Sequence, residues 1–340
     1  MIHFIKLDNY SSTPKYQQIY NSITQGIEDG NIEEGSRLPS IPEICSNFDI
    51  AKKTVEKAYG LLKDKGIIEA VHGKGHYVRT TEVSQRRRIF LIFNKLSRHK
   101  KIIYDQFVRE MGEDVAIDFY IYHNEFALFR EMITNPNHRV VYSNYVIIPH
   151  FLSSGHKAKE IINQLPKHKL LILDKLVEGI DGQYPAVYQN FEKNIYDALR
   201  ELQPRIEKYD KVNLVFPYDT YQPRDIIWGF QRFCMDAHMD YEVISDIQTH
   251  DLSRRQVYIT LMEEDLVHLI KKTKSLDYQP IRDVGIISYN ENPIKEILLN
   301  GITVISTDFE EMGRAAARQI IEGRTDHIEN PFRVILRNSL

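Results

Sequence analysis

The sequence predicts two unlike parts: a small α+β domain of helices closed by a β-hairpin, and a larger α/β part with two parallel sheets. Three observations carry this prediction. Apolar residues repeat at helical spacing up to Gly66, and two β-branched runs then flank Gly73-Lys74-Gly75. From Ile89 onward, short Val/Ile-rich runs alternate with helical stretches, as expected of parallel strands joined by crossover helices. The expected division is a small domain over 1–80, a linker over 81–88 and a bilobed domain over 89–340.

In "YQQIYNSITQGIEDG", Tyr16, Ile19, Tyr20, Ile23 and Ile27 fall at three-and-four spacing, predicting an amphipathic helix that ends near Gly30. Ser40 is placed to cap the next helix, with Glu43 at capping-box spacing. Pro42 lies in its first turn, where a missing N–H does no harm. The third helix, "AKKTVEKAYGLLKDKG", puts Val55, Ala58, Tyr59 and Leu62 on one face and Lys52, Lys53, Glu56, Lys57 and Lys63 on the other. Gly66 stops it.

The hairpin "GIIEAVHGKGHYVRT" carries a lysine at its tip between two glycines, with His72 and His76 beside them. Such a tip could cradle a phosphate, hold a metal, or only turn the chain. Neither G-x-G-x-x-G nor G-x-x-x-x-G-K-[ST] is present, which removes the nucleotide cradle. The two histidines have no third or fourth ligand nearby in sequence, so a metal site is poor. A plain hairpin remains open. Gly73 and Gly75 permit positive φ and close approach of backbone to another surface. Lys74 is then a cation on a short arm, suited to a minor groove or a flanking phosphate.

Three helices followed by a two-stranded wing is the winged helix-turn-helix order. In that arrangement the third helix fits a major groove and cations on its open face meet phosphates. Lys52, Lys53, Thr54 and Lys57 lie on that face. A lysine-rich helix face is ordinarily only a solvated face; the wing beside it favours DNA.

The larger part offers "IFLIF", "AIDFYIY", "YVIIP", "KLLILD", "VNLVFP", "YEVIS", "VYITL" and "VGIISY" as strands. These are too many for one compact sheet, so two lobes are expected, with a crossing near "AVYQNFEKN" and a return near "TVISTDF". Arg86 to Arg88 fall in the expected linker, either solvated or touching DNA backbone.

A net charge of −3 leaves no global basic excess, so any nucleic-acid surface must be local. Cys45 and Cys234 stand far apart among apolar neighbours, as reduced thiols do. "MIHFIKLDNY" lacks the pattern of a signal peptide, and the apolar runs are too short to span a bilayer. A cytoplasmic location with no membrane contact is expected. Glu263, Glu264 and Asp265 could be imagined as an acid and base, but fit a helix start better. Cys234 reads as packed rather than nucleophilic. Trp228 reads as core rather than as a sugar-stacking ring.

Residues 10 to 79, with "G-x-R-LPS", "T-V-x-K-A" and the "G-K-G-x-Y-V" wing, resemble the DNA-binding domain of GntR-family transcription regulators. The resemblance implies DNA-facing roles for Ser40, Lys52, Lys53, Thr54, Lys57, Gly73 and Lys74, and the wing adds His72 and Gly75. Pro42 stands where the family often has arginine, and Ala51 where it often has serine. Most of 88 to 340 resembles the sugar-sensing effector domains of LacI-type repressors, which are related to periplasmic sugar-binding proteins. The quoted stretches are "KLLILDK", "AVYQN", "RDIIWGFQRFC" and the C-terminal tail from "DYQPIRDVGIISYNEN" onward. Together the two halves resemble regulators of the arabinose-repressor type.

The second resemblance implies a periplasmic-binding-protein-like fold that closes two lobes on a polar effector at the carboxyl ends of the strands. Asp174 and Asn290 match ligand-contacting positions, and Asn94 is a rim contact. The family arginine falls at Ile226 here, so its role passes to Arg224 two residues earlier. Ser288 and Asn290 stand where the family usually has glycine and aspartate.

The expected protein is a dimeric repressor that binds double-stranded operator DNA and responds to a sugar or sugar derivative. It is expected not to be an enzyme, and to need neither cofactor nor metal. Two other readings stay open. One is a regulator fused to an aminotransferase-like half that needs pyridoxal phosphate, for which the second part is short and lacks a cofactor-lysine context. The other is a sugar-binding protein that does not bind DNA.

Overall fold

The chain begins with helix α1 (Lys15–Glu28), α2 (Ile41–Phe48) and α3 (Lys52–Asp64), followed by strands β1 (Ile68–Val71) and β2 (Gly75–Val78). A computed structural model describes residues 2–81, 87–112, 115–135 and 142–340. Ile19, Tyr20, Ile23 and Ile27 of α1 pack with Ile44 of α2 and with Val55, Ala58, Tyr59 and Leu62 of α3, the apolar stripes that the spacing predicts. β1 and β2 pair antiparallel, Ile68 opposite Val78 and Val71 opposite Gly75.

The larger part continues with β3 (Arg87–Phe93), α4 (Arg98–Met111), β4 (Val115–Ile121), α5 (Phe126–Thr134), β5 (Asn144–Ile147), α6 (Ala158–Ile162), β6 (Leu170–Asp174) and β7 (Ala186–Tyr188). There follow α7 (Phe191–Ile206), β8 (Lys211–Val215), α8 (Asp225–Asp236), β9 (Asp240–Ile244), β10 (Gln256–Thr260), α9 (Glu263–Ser275) and β11 (Val284–Tyr289). The chain closes with α10 (Ile294–Ile297), β12 (Thr303–Thr307), α11 (Phe309–Glu322), β13 (His327–Glu329) and β14 (Phe332–Ile335).

Two six-stranded sheets result. The first lobe has the order β13-β7-β6-β5-β3-β4, and the second β14-β12-β11-β10-β8-β9. Every pairing is parallel except that of β12 with β14. Parallel strands buried on both faces need near-continuous apolar runs, and Leu170–Asp174 and Val284–Tyr289 are buried throughout. All eight runs singled out in the sequence are strands. β7, β12, β13 and β14 were not among them; β7 and β12 lie in the two stretches read only as crossings.

The chain crosses between the lobes after β7, after β12 and after β13. The first two crossings lie where the sequence places them; the third was not foreseen. Asn330 holds all three together. Its backbone N–H donates to Tyr188 O (2.7 Å), and its Nδ2 donates to Thr307 Oγ1 (2.9 Å) and Asp308 O (2.9 Å). Two helices of the second lobe also approach each other closely. Gly229 of α8 lies so near Glu192 O of α7 that any side chain would collide with that carbonyl, which gives the Gly-Phe pair in "WGF" a packing reason.

Two expectations need correction. Arg87 and Arg88 are not a solvated linker but the first residues of β3. Arg88 Nε donates to Asp118 Oδ2 at 2.8 Å, with both side chains largely buried, and Arg87 Nη1 donates to Ile320 O (3.1 Å), so neither is held out for DNA backbone. Arg86 lies outside the described residues. Trp228 is 56% exposed, because the buried stripe of α8 runs through Ile226, Gly229, Phe230, Phe233 and Cys234 and misses it. Cys234 is packed as expected, and burial pushes its thiol up to about 12.

Candidate nucleic-acid interface and ligand cleft

The small domain builds its outer surface from α2, α3 and the hairpin. Ser40 caps α2 through a complete capping box: its Oγ accepts from Glu43 N (3.3 Å), and its own N–H donates to Glu43 Oε2 (2.6 Å). The Ser40 hydroxyl hydrogen is not used by that cap. α3 starts at Ala51 with no side-chain cap, so its first N–H groups are not satisfied from a capping side chain.

Lys52, Lys53 and Lys57 are exposed and Thr54 is half-buried. Lys52 pairs with Glu56 at 3.2 Å, and Lys57 Nζ lies 3.8 Å from the ring centre of Tyr16. Between residues 52 and 79 the chain carries seven Lys or Arg against three acids, so a local basic stretch does exist inside an acidic protein.

At the hairpin tip, His72, Gly73 and Lys74 are exposed. Gly73 has φ +72° and Gly75 φ +112°, a backbone that other residues adopt only under strain, and Lys74 N donates back to Val71 O (3.0 Å). The hairpin is braced on α3: His76 meets Tyr59 edge-on at 4.8 Å, and Tyr59 OH donates to Pro39 O (2.6 Å) in the turn before α2. Arg37 was missed as a candidate although it is the arginine of "G-x-R-LPS". It bridges to Tyr77 and lies beside Gly75, adding an exposed cation to the hairpin.

In the larger part, the carboxyl ends of neighbouring strands bring buried polar side chains together. Asn94 follows β3, His150 follows β5, Asp174 ends β6 and Gln189 follows β7. Asp174 (φ +73°) accepts from Lys100 Nζ and Gln189 Nε2, and its Oδ2 lies 3.0 Å from His150 Nε2. Burial alone would raise this carboxyl; the Lys100 ammonium and the His150 imidazole outweigh it and hold the group well below the usual carboxylate range. Burial also pushes His150 down, against the pull of Asp174, so the ring is neutral at pH 7. Both oxygens of Asp174 are therefore engaged by protein donors, and the residue positions its neighbours.

Across the cleft, Asn290 follows β11 with φ +62°. Lys295, buried beneath it, donates to Asn290 O (2.6 Å) and Tyr289 O (3.0 Å), and burial lowers its ammonium to about 8. The lobes touch directly: Lys95 Nζ donates to Tyr221 OH (2.6 Å), and His99 Nε2 lies 2.9 Å from Glu291 O.

Among the described residues, several buried polar atoms at this junction have no partner. They are Asn94 Oδ1, His150 Nδ1, Gln189 Oε1, Tyr289 OH, Asn290 Oδ1 and Glu291 Oε1. Buried polar groups are nearly always paired in folded proteins, so these atoms leave room for further hydrogen bonds at the junction. The structure thus brings Asn94 and Asp174 to one strand edge and Asn290 to the facing one. Arg224 is not brought in: it is exposed before α8, and among the described residues no hydrogen bond or ion pair joins its side chain to the cleft. Lys100, His150 and Gln189 were missed because only the fold places them beside Asp174. Among the described residues, no three His, Cys, Asp or Glu groups assemble as metal ligands, and no helix is long and apolar enough to cross a membrane.

Residues 15–78 match the sequence profile of the bacterial regulatory proteins of the gntR family. The HTH-type transcriptional repressor YtrA of Bacillus subtilis is 33% identical over 97 residues, which are 28% of this chain and 71% of YtrA. The chain belongs to the GntR family. Its match to two further Bacillus subtilis regulators, YydK and YurK, spans 28% and 33% of their lengths.

Beyond the family domain the likeness is structural. The Lac repressor bound to ONPG in the repressed state aligns with TM-score 0.63 at 11% identity, over 86% of this chain and 92% of that one. A LacI family transcriptional regulator from Bifidobacterium animalis aligns with TM-score 0.60 at 16% identity, over 75% and 98%. At these identities the likeness is one of fold. This GntR-family regulator therefore joins a winged helix-turn-helix domain to a LacI-like two-lobed domain.

Proposed function

We propose that this GntR-family chain is a cytoplasmic, dimeric repressor of carbohydrate-metabolism genes, and not an enzyme. In this reading residues 1–80 grip a two-fold operator and residues 89–340 bind a sugar-like effector and pair the two copies. Lys53, Lys57 and Thr54 of α3 address the major groove and its phosphates, with Lys52 and Ser40 on the flanking backbone. The tip His72-Gly73-Lys74-Gly75, with Arg37 beside it, reaches an adjacent phosphate or the minor groove.

The single observation that supports the sensory half is the cluster of unpaired buried polar atoms between the lobes. Most are acceptors: the amide oxygens of Asn94, Gln189 and Asn290 and a carboxylate oxygen of Glu291. A ligand rich in hydroxyl donors suits them, which is the chemistry of a sugar. Asp174 orients Lys100, His150 and Gln189 towards that ligand. A ligand bound more tightly by one lobe arrangement than by another shifts the population of arrangements, and with it the spacing of the two winged domains.

The test has two steps. Selection from random duplexes defines the operator, and gel-shift titration then measures its affinity with pentoses, hexoses and their phosphates. A palindromic consensus and at least one sugar that changes the affinity are expected. No selected consensus would remove the DNA reading, and a consensus that no sugar modulates would remove the effector reading.

A further inference from the structure

The end of the segment before α1, Ser11 to Thr13, reaches beyond its own domain. It runs along β4, the edge strand of the first lobe's sheet, as a short antiparallel addition. Ser12 N donates to Phe119 O (2.6 Å), and Phe119 N donates to Thr13 Oγ1 (2.7 Å). Thr13 Oγ1 donates in turn to Ile117 O (3.3 Å), and Ser11 bridges to Tyr120. An edge strand offers a free row of backbone groups, and an added segment satisfies them.

We propose that Asp8–Thr13 is a releasable clasp that carries the state of the lobes to the DNA-binding domain. What loads the cleft rests on the effector reading above; the clasp itself does not. Three features argue for it.

The clasp and α1 are one body. Gln18 of α1 accepts from Asp8 N at Oε1 (2.8 Å) and donates from Nε2 to Thr13 O (2.7 Å), and Lys15 Nζ donates to Asp8 O (2.8 Å). Any shift of β4 is thus passed to α1, on which α3 is packed.

The attachment is polar. The apolar core of the small domain draws only on residues between Phe4 and Val78, and the clusters of the lobes include none of them. Behind the clasp lies a cavity of about 1200 Å³, lined among others by Lys6, Gln25, Asp118, Tyr120 and Tyr142. Hydrogen bonds, with Arg88 Nη1 reaching Gln25 Oε1 (3.2 Å), hold the domains together, and such interfaces open readily.

β4 runs on into the cleft. One residue beyond it, Tyr122 OH accepts from His150 N (2.9 Å) and donates to Ile148 O (2.7 Å), and the His150 imidazole meets Asp174. The clasp, on Ile117 to Tyr120, and Tyr122 at the cleft therefore lie on one continuous stretch of chain. A continuous strand gives contact, and coupling has to be measured.

Amide hydrogen exchange on the full-length protein without ligand tests both parts. In the wild type, the amides of Ser12 and Phe119 are expected to be protected. Thr13→Val should speed exchange at Phe119 about fivefold to tenfold, the factor of one missing hydrogen bond, while Thr13→Ser should not. Unprotected wild-type amides, or equal behaviour of Val and Ser, would overturn the clasp. Tyr122→Phe, at the cleft end, should raise exchange at Ser12 and Phe119, while Tyr258→Phe in the second lobe should not. Protection that ignores Tyr122→Phe would reduce the clasp to an edge cover and overturn the coupling. Because no ligand enters these measurements, failure of every sugar in the gel-shift titration would sink the effector reading separately.

Discussion

The proposed DNA face and the proposed effector cleft use charge in opposite ways. On α3 and the hairpin, Lys52, Lys53 and Lys74 are exposed cations on short stiff elements, Lys52 with only an exposed pairing to Glu56. In the cleft, Lys100 and Asp174 are buried and spend their charge on each other, with the His150 imidazole against the same carboxylate. A surface cation costs little to display and is free to meet a phosphate. A buried one has to be neutralised from within, so the atoms left without partners are mostly amide, hydroxyl and imidazole atoms, with one oxygen of the Arg337-paired Glu291. Mutation should therefore damage stability in the cleft and DNA affinity at the face.

The largest effect is expected at Asp174. Asp174→Ala leaves the Lys100 ammonium buried without its partner, and losing one member of a buried pair costs about 3–5 kcal/mol. Chemical denaturation should show that loss. Replacing both members, as Lys100→Met with Asp174→Leu, should cost much less, because no uncompensated charge remains. Equal losses in the single and double variants would mean that Asp174 acts through something other than the pair.

At the DNA face the same kind of deletion should leave folding intact. Lys53→Ala with Lys74→Ala is expected to weaken operator binding roughly tenfold per lysine, the worth of a charge-assisted hydrogen bond. It should also flatten the dependence of log affinity on log salt by about 0.9 for each phosphate that is no longer neutralised. Unchanged affinity and slope would remove α3 and the hairpin from the interface.

This difference also explains what could be read in advance. The small domain was legible because its information is local: helical spacing, the Ser40–Glu43 cap, and glycines at two positions of positive φ. Eight strands of the lobes were legible because buried parallel strands are continuous apolar runs. Asp174 was singled out, but Lys100 and His150 were not, since only the fold sets a residue of α4 and one beyond β5 beside it. Arg224 failed for the complementary reason. A family position was carried along the sequence by two residues, from α8 to the exposed residue that precedes it. Arg88 was misread because a basic run says nothing about Asp118 thirty residues later.

A smaller effect separates the cleft by pH. Burial lowers His150 and His99, so the folded state resists protons that the unfolded chain accepts near pH 6.5. Their contribution to stability is complete above that value and declines as pH falls towards the lowered folded values. The slope reaches at most about 1.4 kcal/mol per pH unit for each ring. Asp174 behaves differently in range: its depressed carboxyl keeps its contribution above about pH 4 and loses it only below. Denaturation midpoints should thus already drop between pH 7 and 5, and His150→Gln should flatten that drop. A flat profile for the wild type would mean that these rings are not held neutral.

The smallest expected change in stability, and the sharpest contrast, belongs to Lys52. Its pairing with Glu56 is a solvent-exposed i,i+4 contact, 73% of the lysine side chain being accessible. Such pairs contribute about 0.3–0.5 kcal/mol, so Lys52→Ala should barely move the melting temperature. If Lys52 instead spends its charge on DNA backbone, the same substitution should lower the salt slope of operator binding by about 0.9 and weaken all sequences alike. Lys52→Arg should restore the slope, because either cation can neutralise a phosphate. A stability loss without a change in slope would assign Lys52 to the helix rather than to the operator, and would move the edge of the DNA face towards Lys53.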